Sequence, residues 1–196
     1  MARKKSVKLA ATTFITSSDS IAQFSSHVAT SLSDQYQSWI YDYAVIRLYR
    51  EFERLMLSAL TGAINNDTTT LSNKIGISFP KHLTDDVCEF LITGSGYFDF
   101  KGRDGLIKTL KQFVPEDHYL VTTVKKPAYK EALNRLSTLR NFAAHESALS
   151  KGAALSALAC MNLSSSGSWL KKQGRFQSLV NTLQSLAQEI NTNAPF

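Results

Sequence analysis

The stretch QYQSWIYDYAVIRLYREFERLMLSALTGAI, residues 35–64, decides the fold class of this chain. Large apolar side chains recur in it every three or four residues, as at Trp39, Tyr43 and Ile46. This spacing is typical of an α-helix with a buried face, and we expect Trp39 to pack in the core. Further apolar residues widen that face: Ala44, Leu48, Phe52 and Leu55. The sequence therefore predicts a long helix that is packed on more than one side.

The rest of the chain repeats the helical pattern on a smaller scale. Sustained two-residue alternation is almost absent, and only Tyr97 to Phe100 forms a brief alternating piece. Thr84 is placed to cap one helix, and Pro127 stands where proline opens another. Helices are predicted at 21–32, 84–92, from 102 to before Pro115, from 127 into the 140s, at 153–163 and at 176–191. This pattern predicts an all-α fold.

The domain organisation follows from length and composition. Residues 1–18 begin with a basic run and continue with polar side chains, which predicts a solvated N-terminal tail. Residues 19–196 are long enough for a single helical domain with its own core. Hydrophobic residues make up 43% of the 196 residues and charged residues 19%, which excludes a disordered chain.

Charge and cysteine content limit the partners and the compartment. The chain holds 22 Lys and Arg against 16 Asp and Glu, a net charge of +6 that fits RNA, DNA or an acidic protein. Its two cysteines, Cys88 and Cys160, are too few for a disulfide framework and lack paired metal-ligand spacing. No stretch of the sequence predicts a membrane span. We therefore expect a cytoplasmic protein.

The chemistry is concentrated in LSTLRNFAAHES, residues 136–147. His145 can exchange protons near neutral pH, and the guanidinium of Arg140 matches phosphate oxygens. Asn141 can orient either group by hydrogen bonding. Together they suffice for RNA cleavage by the RNA's own 2′-hydroxyl, without a metal. A structural interpretation also exists, in which His145 contacts the helix-end carbonyls or Glu146 and Arg140 pairs with a carboxylate.

The segment Arg140-Asn141-Phe142-Ala143-Ala144-His145 resembles the Arg-Asn-x-x-x-His motif of HEPN ribonucleases. The helical stretch YREFERL (49–55) resembles the early core helix of that superfamily. The stretches YFDFK (97–101) and DGLIK (104–108) resemble its RiboL-PSP-HEPN branch. The resemblance extends over most of residues 35–191 and implies a HEPN-like helical bundle with an up-and-down core.

The resemblance also implies a role for each site residue. Arg140 would bind and stabilise the scissile phosphate, Asn141 would orient the site, and His145 would transfer protons or stabilise the transition state. HEPN nucleases place this motif at a homodimer interface, so the active site would be composite. Many of them are toxins or phage-defence effectors that an antitoxin or regulatory protein restrains. Glu146 departs from this picture, since an acid after the histidine can repel phosphate or tune His145.

Other charged and aromatic residues are candidates for RNA contacts. Lys151, Arg47 and Arg50 could extend an RNA-binding track, although such charges are usually only solvated. The indoles of Trp39 and Trp169 could stack on bases, although core packing is the preferred interpretation for Trp39. His82 lies near Asp85 and Asp86, which we interpret as a capping cluster rather than a metal site. We expect no metal and no other cofactor.

Two further functions remain open at the level of sequence. One is a non-catalytic HEPN-like module that binds a protein or nucleotide partner and uses Arg140 structurally. The other is a helical DNA-binding regulator, which the lack of a clear helix-turn-helix with a basic recognition helix disfavours. A nuclease requires Arg140 and His145 to be accessible in one cleft, whereas a binding module can bury them in separate contacts.

Overall fold

A computed structural model describes residues 5–94 and 96–195 and confirms the all-α class. The described residues form ten helices and no strand, and Tyr97–Phe100 lies in irregular structure. None of these helices is both long and apolar enough to cross a membrane. The helices are α1 (Val7–Ala29), α2 (Asp34–Asn66), α3 (Thr69–Ile75), α4 (Asp85–Thr93), α5 (Gly102–Phe113), α6 (Tyr119–Lys125), α7 (Pro127–His145), α8 (Ala148–Leu158), α9 (Ser166–Leu170) and α10 (Arg175–Asn193).

Helix α2 is the centre of the fold, as its sequence pattern predicts. It begins after the N-cap Ser33 and contributes fully buried side chains such as Leu48 and Phe52 to the core. Helices α1, α7 and α9 pack on it, and α10 packs on α1. The ring of Phe14 in α1 meets Phe52 edge-on at a centroid distance of 5.8 Å. The long helix is therefore covered on several sides, which explains its wide apolar face.

The predicted N-terminal tail is wrong from residue 7 onward, because α1 begins at Val7 rather than at residue 21. Residues 1–4 lie outside the described residues. Val7, Ala11, Phe14 and Ser18 are buried at a spacing of three and four residues, so they form a helical face. The hydroxyl of Thr12 donates to the carbonyl of Lys8, as other Ser and Thr residues of this helix also do one turn back. The polar residues that suggested a tail thus lie on the exposed face of a helix.

The observed helix boundaries agree best with the predicted ones where the sequence contains a local capping signal. Thr84 accepts a hydrogen bond from the amide of Val87 at the start of α4, and Pro127 opens α7, both as predicted. Helices α3 and α6 were not predicted, and α8 covers 148–158 instead of 153–163. Both missed helices have seven residues, too few to show a clear period.

Helix α9 joins α2 to α7, and it lies in a stretch for which the sequence pattern predicted no helix. Its Ser166 hydroxyl donates to the carbonyl of Leu139 at 2.7 Å, and its Gly167 amide donates to the carboxylate of Asp42 at 2.6 Å. A Cβ on Gly167 would lie 1.8 Å from the carbonyl oxygen of Ser38. Only glycine allows α9 to approach α2 this closely.

Candidate active site

The candidate site is built around the buried ring of Tyr49 on α2. Tyr49 is 1% exposed and its hydroxyl donates to a carboxylate oxygen of Asp99 at 2.5 Å. The ring stacks on Phe100 with a centroid distance of 4.7 Å. Burial, and then the bond to Asp99, raise the pKa of Tyr49, so the phenol stays protonated. Tyr49 is therefore a fixed, neutral platform that ties α2 to the segment before α5.

Arg140 lies on that platform. Its guanidinium carbon is 4.5 Å from the centroid of the Tyr49 ring, a cation–π contact. Its Nη1 donates to the side-chain oxygen of Asn141 at 2.9 Å. The two contacts orient the half-buried arginine, and they bring together Arg140 and Asn141 as the motif predicts.

Glu53 lies on α2 one turn after Tyr49 and shares this environment. Burial raises the pKa of Glu53 to about 7; Arg140 opposes this rise and Asp99 adds to it. The Oε1 atom of Glu53 is buried and has no hydrogen-bond partner among the described residues. Glu53 can therefore take up or release a proton near neutral pH beside a fixed cation.

His145 stands apart from this cluster. It is exposed, and within the described part of the chain its imidazole makes no hydrogen bond or ion pair. Five residues along a helix correspond to about 7.5 Å of rise and about 140° of rotation, so Arg140 and His145 point in different directions. The structure thus joins Arg140 with Asn141 but does not bring His145 into contact with them.

Glu146, the acid that follows the histidine, ends α7 in the left-handed conformation with φ 46°. Its side chain is exposed, and its charge contributes to the raised pKa of Asp42, which is due mainly to burial. Asp42 precedes Tyr49 on α2, whereas Glu146 follows Arg140 on α7. The two helices are therefore antiparallel, and His145 lies toward the N-terminal end of α2.

The three predicted RNA-track cations differ in availability. Arg50 is exposed and lowers the pKa of neighbouring Glu53, and Lys151 is exposed on α8. Arg47 instead pairs with Glu51 at 3.0 Å. Glu51 also binds Arg54 at 3.1 Å; the Glu51 residue is only 5% exposed, whereas the Arg54 side chain is 55% exposed. Arg50 and Lys151 remain available to a phosphate chain, whereas Arg47 already shares the carboxylate of Glu51 with Arg54.

Trp39 is 57% exposed, so the prediction that it packs in the core is wrong. Its ring lies 5.1 Å from that of Tyr36, and Tyr43, one turn further along α2, is 60% exposed. The periodicity of α2 predicted which residues share a face, but not how far neighbouring helices cover that face. We call these three residues the α2 aromatic face.

Sequence reasoning missed Glu53 and Asp99 as members of the site, and treated Tyr49 only as part of a helix. One signal was present, because Tyr49 and Glu53 are four residues apart and thus share a helix face. A carboxylate on a face rich in apolar residues is a candidate for a raised pKa. No local signal connects Asp99 with Tyr49, which lies 50 residues earlier in the chain.

The His82 cluster is organised by contacts within the protein. Its Nδ1 lies 3.0 Å from the carbonyl oxygen of Asn65, and the Asn65 amide donates to Asp85 at 2.9 Å. Within residues 5–94 and 96–195, no group of three His, Cys, Asp or Glu side chains could hold a metal ion.

No family model, curated protein or solved structure matches this chain.

Proposed function

We propose that this chain is a metal-independent endoribonuclease of the HEPN type, with an up-and-down helical core and Arg140 as the group that binds the scissile phosphate. The observation that carries the proposal is the placement of Arg140, 4.5 Å over the Tyr49 ring and hydrogen-bonded to Asn141. A guanidinium held in this way requires little reorganisation when negative charge develops on a phosphorane.

In the proposed reaction, the 2′-hydroxyl of the RNA attacks the adjacent phosphorus and the 5′ oxygen leaves. The products are a 2′,3′-cyclic phosphate and a 5′-hydroxyl. A base must remove the proton of the 2′-hydroxyl and an acid must supply one to the leaving oxygen. His145 is the group proposed for proton transfer, and Asn141 orients Arg140.

Glu53 supports this role of Arg140 through its charge state. Because its pKa is about 7, a large fraction of Glu53 is protonated at neutral pH. A neutral Glu53 does not cancel the charge of Arg140, which stays available to the phosphate. An approaching phosphate disfavours the carboxylate further, so substrate binding and protonation of Glu53 reinforce each other.

The separation of His145 from Arg140 favours a site composed from two chains. In the proposed homodimer, the exposed His145 of one protomer faces the Arg140 region of its partner. The α2 aromatic face, Arg50 and Lys151 would contact the RNA strand by stacking and by charge. We place the enzyme in the cytoplasm as a toxin or phage-defence effector that an antitoxin or regulatory protein restrains.

A non-catalytic module that binds a protein or nucleotide is the second candidate, and one observation favours it. The guanidinium of Arg140 already has Tyr49 and Asn141 as partners and Glu53 as a neighbouring charge. Such contacts also suit an arginine that only stabilises the packing of α7 on α2.

The experiment that separates the two candidates is incubation of purified protein with total RNA in excess EDTA. Arg140→Ala and His145→Ala are each expected to abolish cleavage while the helical circular dichroism is unchanged. His27→Ala is the matched control, because His27 is also an exposed histidine in the last turn of a helix. Wild-type cleavage that leaves 2′,3′-cyclic phosphate ends supports the nuclease, whereas full activity of both site variants refutes the proposed site.

A further inference from the structure

A second concave site lies where α7, α9 and α10 meet. Its volume is about 410 Å³, within the range of small-molecule pockets. Its wall is largely polar and cationic, with Arg135, Trp169, Gln173 and Arg175, and it includes one acidic side chain, Glu131. Arg135 precedes Arg140 by five residues on α7, so it projects about 140° away from the candidate active site. The cavity is therefore separate from the proposed cleavage site.

Trp169 holds the two arginines of this cavity in place. The guanidinium carbon of Arg175 is 4.6 Å from the centroid of the Trp169 rings, and that of Arg135 is 5.8 Å from it. Arg175 also donates to the side-chain oxygen of Gln173 at 3.1 Å. Both guanidinium groups are thus oriented by the protein before any ligand binds.

The positive charge of this cavity is only partly matched. Arg135 pairs with Glu131 at 2.9 Å, but the Glu131 side chain is 76% exposed, and exposed pairs are weak. Arg175 has no carboxylate partner within the described residues. The Nε of Arg135 is buried and has no hydrogen-bond partner there, which leaves a donor unsatisfied. The first turn of α10, which Arg175 begins, contains no acidic residue and has no side-chain cap.

From these contacts we propose that the cavity binds a terminal phosphate monoester. Guanidinium groups bind phosphate oxygens through paired N–H donors, and a monoester near neutral pH carries almost two negative charges. The phosphate would accept hydrogen bonds from the guanidinium of Arg135 and would match the charge of Arg175. Ala128, Ala132 and Leu179 form an apolar part of the wall for the organic group. Two sources share this chemistry: a free nucleoside monophosphate and the 5′-phosphate end of an RNA.

The test uses the fluorescence of Trp169. The chain has two tryptophans, so Trp39→Phe leaves Trp169 as the only indole. This protein is titrated with inorganic phosphate, AMP, adenosine, and a short RNA with either a 5′-phosphate or a 5′-hydroxyl, and calorimetry follows the same titrations. AMP or the 5′-phosphorylated RNA is expected to change the fluorescence of Trp169, whereas adenosine and the 5′-hydroxyl RNA, which lack the phosphate that this cavity binds, are not. Whichever phosphorylated ligand binds more tightly identifies the source.

The variants Arg135→Gln and Arg175→Gln are expected to weaken binding at least about tenfold. Arg54→Gln is the control, because it removes an arginine on α2 that does not line this cavity. If Arg175→Gln does not fold, as judged by circular dichroism, Arg175→Lys tests the same contact. Equal binding of AMP and adenosine would overturn the proposal. So would wild-type affinity for the phosphorylated ligand in a folded Arg135→Gln or Arg175→Gln variant. Absence of binding by both AMP and the 5′-phosphorylated RNA up to about 1 mM would also overturn it. RNA cleavage is not measured, so failure here leaves the proposed nuclease untouched.

Discussion

Replacement of Glu53 by glutamine tests the electrostatics of the candidate site through protein stability. The pKa of Glu53 rises from 4.5 to about 7 in the folded protein, chiefly because of burial. The native state thus holds this proton more tightly than the unfolded chain does. The contribution of Glu53 to stability is therefore complete below about pH 4.5 and is lost as the pH rises to about 7. Glutamine is neutral at all these pH values and removes the dependence.

The size of the effect follows from the pKa. A difference of one pKa unit corresponds to about 1.4 kcal/mol, so the rise of the pKa from 4.5 to about 7 corresponds to about 3.5 kcal/mol at most. Glu53 is only half-buried, and solvent screening lowers this value to about 1–2 kcal/mol. The wild type loses this stabilisation between pH 5 and pH 8, whereas the glutamine variant does not. The free energy of unfolding of Glu53→Gln, relative to wild type, should therefore be about 1–2 kcal/mol higher at pH 8 than at pH 5. With a typical urea dependence, the unfolding midpoint shifts by about 0.5–1 M.

The assay is urea unfolding followed by far-UV circular dichroism at both pH values. The comparison of variant with wild type cancels the other titrating groups, provided that they do not interact with residue 53. Glu131→Gln is the matched control, since Glu131 is 76% exposed and its change should be below about 0.5 kcal/mol at either pH. If the free energy of unfolding differs between Glu53→Gln and wild type by the same amount at pH 5 and at pH 8, the reasoning is refuted. It would mean that Arg140 outweighs burial and that Glu53 is a permanent counter-ion.

Two predictions concern α9 and the α2 aromatic face. Gly167→Ala should destabilise the fold by at least about 3 kcal/mol in thermal or urea unfolding, because its Cβ would lie 1.8 Å from the Ser38 carbonyl oxygen. Gly152→Ala is the control, because a Cβ at this position in α8 meets nothing within 4 Å, and it should stabilise the fold by about 0.5–1 kcal/mol. Equal changes in stability for the two glycine variants would argue against the close packing of α9 on α2. Trp39→Ala should weaken single-stranded RNA binding by about 1–3 kcal/mol in fluorescence anisotropy with little change in stability, and unchanged affinity would remove Trp39 from the RNA surface.

The helices that could be predicted are those whose pattern is long or whose caps are explicit. Helix α2 has 33 residues of three- and four-residue periodicity, and α7 starts at Pro127. The start of α1 was hidden because Ser and Thr occupy its exposed face, where their hydroxyls bond to carbonyls one turn back. Their composition suggests a loop, although the spacing of Val7, Ala11 and Phe14 is helical.

In the site, too, contacts between sequence neighbours could be predicted, whereas contacts between residues far apart in the sequence could not. Arg140 and Asn141 are neighbours in sequence, and their hydrogen bond could be anticipated from the motif. The pairing of Tyr49 with Asp99 depends on how α2 packs against the segment before α5, which no sequence spacing reports. Whether His145 meets Arg140 depends on helix geometry and on any second chain.

The five-residue helix α9 has a consequence for local unfolding. Its Ser166 holds the carbonyl of Leu139, one residue before Arg140, while its Gly167 amide holds Asp42 on α2. Opening α9 releases both helices of the candidate site at once, so amide protons around Arg140 and around Asp42 should exchange with solvent through a shared opening event. The short helix α9 thereby couples local unfolding in the C-terminal third of the chain to local unfolding of the candidate site.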